Sequence, residues 1–286
     1  MEFYGVLGEK LPHSISPEIH EKIFKLLNIN GAYKIFEVEK SDINKACDSL
    51  RILKIKGTNV TIPYKQEIMQ YLDSISEEAE KIGAVNTIYL KDGRLSGYNT
   101  DYFGFGTIID KNNVSVKDET AVVLGTGGAS KAVVTYLLDK DIKKLYIVSR
   151  IKKDETDHDD IRVEYITYKE IEHIKGNILV NTTPVGMYPK TNVSPVNEEV
   201  INNFDTLIDI IYNPRMTEFL ELGHKLGKKV CGGLEMLVGQ AIKAEEIWQE
   251  ININDEILDE VYEYINKQFN FHSRGLNPPA LDGISF

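Results

Sequence analysis

The chain has 286 residues, 42% of them apolar and 27% charged, with a formal net charge of -11 at pH 7. That length suits two domains of ordinary globular composition, and the acidic balance argues against a nucleic-acid partner. No apolar run is long enough to span a bilayer, and the start lacks a basic segment followed by an apolar one, so neither a membrane span nor a signal peptide is expected. Cys47 and Cys231 are far apart and without metal spacing, as in a cytoplasmic protein with reduced thiols. The six histidines form no ligand pair, so no metal is expected.

In chain order, residues 3–7 form a short apolar strand ended by Gly8. Ser16 is placed as a helix N-cap with Pro17 at the first helical position, and Ile19, Ile23, Leu26 and Leu27 follow at helical spacing. Residues 33–38 alternate as a strand, and Ser41-Asp42 opens a helix through Ile43, Ala46 and Leu50. Residues 57–62 form a strand stopped by Pro63. Residues 84–90 and 95–98 flank Asp92-Gly93, a hairpin turn signal.

From about residue 102 the pattern resets. Residues 120–124 form a buried strand, followed by the loop Gly125-Thr-Gly-Gly-Ala-Ser130 and a helix over 129–139. Further strands are read at 144–149, 177–181 and 206–211, and strands alternating with helices imply a doubly wound parallel sheet. Helices over about 234–248 and 254–268 are expected to return and pack on the first domain. The second is amphipathic through Ile257, Val261, Tyr264 and Ile265. Residues 269–286 lack periodicity and read as a flexible tail, native or engineered. The fold class is therefore α/β. Residues 1–101 together with 236–268 form one domain, and residues 102–235 form a nucleotide-binding domain.

Gly125-x-Gly127 between a strand and a helix is the turn of a Rossmann dinucleotide site. Gly125 allows the tight turn and Gly127 lets a diphosphate approach the backbone at the helix N-terminus. Ser130 stands where a third Gly or Ala is usual, while Gly128 and Ala129 keep the neighbourhood small. After the next strand comes Ser149-Arg150-Ile-Lys-Lys153, with no carboxylate for a ribose 2′-hydroxyl before Asp154. A guanidinium there suits a 2′-phosphate, which favours NADP over NAD; the competing reading is a solvated basic turn.

Other segments are polar where a core strand is normally apolar. His13-Ser-Ile-Ser-Pro17 offers the hydroxyls of Ser14 and Ser16 beside a helix start, a seat for a carboxylate, although spacing alone favours a capping serine and a turn serine. Thr61 and Asn86 fit plain strand ends, and Lys65 read by itself is a solvated lysine.

In combination these segments resemble the shikimate dehydrogenase family. The matching runs are His13-Ser-Ile-Ser-Pro17, Asn59-Val-Thr-Ile-Pro-Tyr-Lys65, Gly83-Ala-Val-Asn-Thr87, Asn99-Thr-Asp101, the loop at Gly125, Asn181-Thr-Thr-Pro-Val-Gly-Met187, Tyr212-Asn-Pro214 and Gly233-Leu-Glu-Met-Leu-Val-Gly-Gln240. They stand in the family's order over about residues 3–265. The resemblance implies NADP-linked interconversion of 3-dehydroshikimate and shikimate in aromatic amino-acid biosynthesis. It implies that Lys65 and Asp101 are a catalytic pair, and that Ser14 and Ser16 hold the substrate carboxylate near Tyr212. Thr61, Lys65, Asn86, Asp101 and Gln240 surround the ring hydroxyls. On the cofactor side it implies Gly125, Gly127, Gly128, Ala129, Ser149, Arg150, Lys153, Thr183, Met187, Ile210 and Gly233. The family's Asn-Arg-Thr reads Ser149-Arg150-Ile151 here, which keeps the arginine and loses a polar contact at 151. A related enzyme acting on quinate, with NAD or both cofactors, and a ligand-sensing regulator without turnover are the alternatives. Monomer and homodimer both remain compatible with the chain.

Overall fold

The structure is a computed structural model and describes residues 1–11, 14–151 and 160–273. The first half builds a six-stranded sheet in the order β2-β1-β3-β5-β6-β4. Its strands are β1 (Glu2–Gly8), β2 (Gly31–Glu37), β3 (Ile55–Val60), β4 (Ser74–Ile75), β5 (Thr87–Lys91) and β6 (Arg94–Tyr98). β1 runs parallel to β2 and β3, whereas β5 is antiparallel to both of its neighbours. The β5–β6 hairpin turns at Asp92 and Gly93, both at positive φ (50° and 78°), as the right-handed twist of a two-residue hairpin demands. Because side chains alternate along a strand, Tyr4 and Val6 of β1 pack with Trp248 while Leu7 faces α2 (Ile43–Ile52) on the other side.

The second sheet is wholly parallel, in the order β12-β11-β10-β7-β8-β9. It comprises β7 (Thr120–Leu124), β8 (Lys144–Ser149), β9 (Val163–Thr167), β10 (Ile178–Asn181), β11 (Thr206–Asp209) and β12 (Lys229–Cys231). Val122 and Leu124 join one apolar cluster, and Ala121 and Val123 join the other. The unbroken apolar run of β7 is therefore that of a parallel strand covered on both faces. Strand order reverses between β7 and β10, and this switch point opens a crevice at the carboxyl ends of the strands. Cys47 and Cys231 are both buried and unpaired.

Two helices connect the sheets. α4 (Thr100–Lys111) leads from the first sheet to the second, and α8 (Leu234–Gln249) leads back. α8 and α9 (Asp255–Ser273) pack on α1 (Ser16–Leu27), with Ile19 and Ile23 meeting Val238, Ile242, Val261 and Ile265. α4 and α8 come into backbone contact. A Cβ on Gly104 would lie 2.5 Å from the Met236 carbonyl oxygen, and one on Gly239 would lie 2.3 Å from Thr107 Oγ1. Glycine inside a helix usually destabilises it by about 0.5–1 kcal/mol relative to alanine, so its use here reflects the close approach.

Some local expectations change. Ser16 is not an N-cap: α1 begins at Ser16, its cap residue is Ile15, and no side chain caps it. The last helix does not end at 268 but continues to Ser273, because Phe269 extends the stripe of Val261 and Ile265 and its ring packs 5.9 Å from that of Tyr212. Residues 274–286 of the expected tail lie outside the described residues. α4 itself was hidden by its two glycines and weak amphipathicity. Among the described residues no helix is long and apolar enough to cross a membrane.

Replacing Gly239 by alanine should lower stability by about 1–3 kcal/mol, the range for overpacking a tight contact. Urea unfolding of the variant beside the parent protein checks this, and an unchanged midpoint would show that α4 and α8 can separate freely.

Candidate active site

A cavity of about 420 Å³ lies where the first sheet, α1, α4 and α8 meet. Ser14, Ser16, Thr61, Lys65, Asn86, Asp101, Tyr212 and Gln240 all line it, although they span 227 positions of the sequence from first to last (240 minus 14, counted inclusively). Lys65 is anchored by its backbone carbonyl, which accepts the Val85 N–H at 2.7 Å, and by the neighbouring Tyr64, whose hydroxyl donates to the Val38 carbonyl at 2.6 Å. Its Nζ donates to Asp101 Oδ2 at 2.6 Å, and the two side chains are 22% and 8% exposed. Asp101 lies in the first turn of α4, where the positive end of the helix favours a carboxylate. Asn99 caps that helix by accepting the Asp101 N–H at 3.1 Å, while its Nδ2 donates to the Ala84 carbonyl at 2.9 Å.

Asn86 is oriented by its oxygen. Oδ1 accepts the Thr100 N–H at 2.7 Å and the hydroxyls of Thr87 and Thr100, so the amide nitrogen is the end left for the cavity. That Nδ2 lies 3.5 Å from Gln240 Oε1. Gln240 is held there because Gly104 of α4 backs onto its Cβ, with no side chain to push it away. Ser16 caps nothing, and its hydroxyl oxygen lies 3.3 Å from that of Ser14. This removes the capping explanation that spacing favoured.

Sequence reasoning gave no role to three further cavity residues: Lys10, His20 and Asn59. Asn59 accepts the Tyr33 hydroxyl at 2.7 Å and donates to Thr87 Oγ1 at 3.2 Å. His20 Nδ1 sits 2.6 Å from Glu245 Oε1, both side chains being buried, and its ring stacks on Tyr33 at 4.3 Å. One turn of helix separates His20 from Ser16, which is the only signal the sequence carried for it. Nothing in the sequence joins it to Glu245.

Gly125, Ser149, Arg150, Thr183, Ile210 and Gly233 of the second expected set stand just at or past the carboxyl ends of the parallel strands. Gly125 has φ 107°, and a Cβ there would meet Thr182 Oγ1 and Thr183 Cγ2 at 3.0 Å, so both conformation and space require glycine. A Cβ on Gly127 or Gly128 would meet nothing within 4 Å. α5 (Gly128–Asp139) starts there without a side-chain cap. Ala129 lies in its first turn, and Ser130 Oγ donates to the Gly125 carbonyl at 2.8 Å, which explains a serine at the third motif position. Thr183 is clamped by Asn181, whose Oδ1 accepts both its N–H and its hydroxyl, at 3.0 and 2.7 Å. Met187 is exposed. Ser149 donates its hydroxyl to the Ile151 carbonyl, and Arg150 is exposed just past β8. Lys153 lies outside the described residues. Gly233 also has a packing reason: its φ is an ordinary -75°, but a Cβ would lie 2.1 Å from the Ile210 carbonyl oxygen. An open glycine pair at an uncapped helix start and a guanidinium past the next strand fit a dinucleotide bearing an additional phosphate.

Residues 6–88 match the family model described as the shikimate dehydrogenase substrate binding domain. A protein of Clostridium beijerinckii named shikimate dehydrogenase (NADP(+)) is 61% identical over 94% of this chain and 100% of its own length. The chain belongs to the shikimate dehydrogenase family. Solved structures agree with this. Shikimate dehydrogenase 1 from Peptoclostridium difficile superposes with a TM-score of 0.86 at 54% identity, covering 94% of this chain and 99% of that one. The Thermus thermophilus enzyme in complex with NADP(H) and shikimate gives 0.81 at 28% identity, covering 92% and 99%.

One ionisable group of this family member stands apart. Asp209, at the end of β11, is 0% exposed. Its Oδ1 accepts from Asn181 Nδ2 at 3.1 Å and the Ile211 N–H at 3.0 Å, and its Oδ2 accepts the Thr217 hydroxyl at 2.7 Å. Burial pushes its carboxyl up to about 6, against the opposing effect of those hydrogen bonds. A raised carboxyl pKa means that the folded state holds a proton the unfolded state has released, so stability falls as pH rises from about 4 to about 6 and stays lower above. Asp209→Asn removes this dependence. Relative to the parent, its unfolding free energy should gain about 2 kcal/mol between pH 4 and pH 8. Urea unfolding at both pH values checks it, and a constant difference would mean that Asp209 does not titrate in that window.

Proposed function

We propose that this chain catalyses the reversible NADPH-dependent reduction of 3-dehydroshikimate to shikimate, a step of aromatic amino-acid biosynthesis. The observation that carries the reading is the Lys65–Asp101 pair at 2.6 Å, set among hydroxyls and amides in one cavity. The names of the relatives, NADP-linked shikimate dehydrogenases, support the same substrate and cofactor.

The cofactor, when bound, supplies the hydride. Gly127, Gly128 and the start of α5 would hold its diphosphate, and Arg150 its 2′-phosphate, with Thr183, Ile210 and Gly233 towards the substrate. Ser14 and Ser16 take the substrate carboxylate, with Tyr212 beside them, while Thr61, Asn86 and Gln240 take ring hydroxyls. Lys65 delivers a proton to the ketone oxygen as negative charge develops there, and in the reverse direction its neutral amine accepts the hydroxyl proton. Asp101 holds the amine in place and bonds a hydroxyl of the ring. The lining suits an anionic substrate: Lys65 is matched by Asp101, while Lys10 adds a further cation. The substrate site draws on residues 1–101 and the returning helices, with Tyr212 added from the other domain, and the cofactor site on residues 102–235. Two buried, unpaired thiols suit a reducing compartment, and we place the reaction in the cytoplasm.

Lys65→Ala should lower kcat by about 10²–10⁴, the usual share of a general acid, with a much smaller change in KM for shikimate. Steady-state rates of NADP reduction by shikimate measure this, and an unchanged kcat would remove Lys65 from the chemistry. Arg150→Ala should raise KM for NADPH about ten- to a hundredfold, the worth of a charge-assisted hydrogen bond, while KM for NADH hardly moves. Equal effects on the two cofactors would leave Arg150 a solvated turn residue.

A further inference from the structure

Asp209 is held by three neutral donors. Neutral dipoles offset only part of the hydration that a buried carboxylate loses, which is why such groups are usually paired with a cation. Asparagine would keep the Oδ1 acceptor for Asn181 and Ile211, and its Nδ2 could donate to the Thr217 hydroxyl. The local hydrogen bonds therefore call for this shape and do not need the charge.

The position of Asp209 indicates what the charge faces. On one side it holds Asn181, which clamps Thr183, and Thr183 borders Gly125 in the crevice. On the other side it holds the amide of Ile211, next to Tyr212 of the substrate cavity. Asp209 thus lies behind the backbone that runs from the dinucleotide crevice to the cavity. Under the proposed reaction, on which this inference rests, the nicotinamide end of the cofactor must bridge that same interval. The nicotinamide ring is neutral when reduced and carries one positive charge when oxidised.

We propose that the Asp209 carboxylate is a fixed negative charge that favours the oxidised, cationic nicotinamide over the reduced one and so assists hydride departure. In that step the C4–H bond of the reduced ring breaks, and the hydrogen leaves with its electron pair for the ketone carbon. The ketone oxygen takes the Lys65 proton, and the ring is left cationic. An interaction that grows as this charge appears lowers the barrier, because it is absent from the starting state. Asp209 acts through space and through the loop it anchors; it is a positioning residue and touches no reacting atom.

The test is Asp209→Asn, with equilibrium titration of the full chain at pH 8 by NADP+, NADPH and 2′,5′-ADP, a fragment without nicotinamide. The Kd for NADP+ should rise about five- to tenfold, as expected for loss of one partly screened charge, while NADPH and 2′,5′-ADP stay within twofold. A circular-dichroism melt in parallel establishes that the variant is folded. Equal weakening of both dinucleotides would make Asp209 a loop anchor only, and no change would mean that its charge is not felt; either overturns the inference while the proposed reaction stands. If the parent protein binds neither dinucleotide, the proposed reaction and the inference fall together.

Discussion

The backbone contact between α4 and α8 is the constraint on which the rest of the site depends. Asp101 stands at the first turn of α4 and Gln240 in the second turn of α8, and Gly104 lets the two helices meet beside both. Any side chain at Gly104 or Gly239 would separate the helices and move these groups apart. The same pair also spans the two sheets, so the register that sets the cavity sets the relation of cavity to crevice. Packed interiors transmit such shifts because they have little free volume to absorb them.

Electrostatics follow from this packing. A charge withdrawn from water is expensive unless it is matched. Lys65 is matched by Asp101 within the chain, and Glu245 shares a hydrogen bond with His20. Asp209 is satisfied by hydrogen bonds and by no cation among its hydrogen-bond partners, and it lies where two loops of functional interest are tied together. Ordinary structural demands explain the first two pairs and the three hydrogen bonds, but not the retention of the third charge.

Several elements were legible because a local rule fixes them. β7, the glycine loop and α5 follow from an unbroken apolar run, a turn that needs positive φ at Gly125 and a helix start. The β5–β6 hairpin follows from Asp92-Gly93 in the same way. The returning helices follow from their apolar stripes. α4 was not legible, since glycines that mean close packing look, in one dimension, like helix breakers. Phe269 was read as the start of a tail because its partner Tyr212 lies 57 positions earlier (269 minus 212). The misplacement of Ser16 as a cap had a similar origin: proline and serine statistics describe helix starts in general, and here the helix begins at the serine itself.

By itself the sequence determined the α/β class, most of the strands along the chain, the crevice that a glycine turn opens and, through its resemblance, the set of polar residues worth examining. These rest on periodicity and on backbone conformations that only certain residues adopt. The tertiary structure alone decided that Lys65 and Asp101 touch, that Gly233 is needed to clear a carbonyl, that His20 is paired with Glu245, and that Asp209 lies between the crevice and the cavity. Each of these depends on distances between residues remote along the chain, and such distances are set by which faces pack together, a cooperative property that no local pattern encodes.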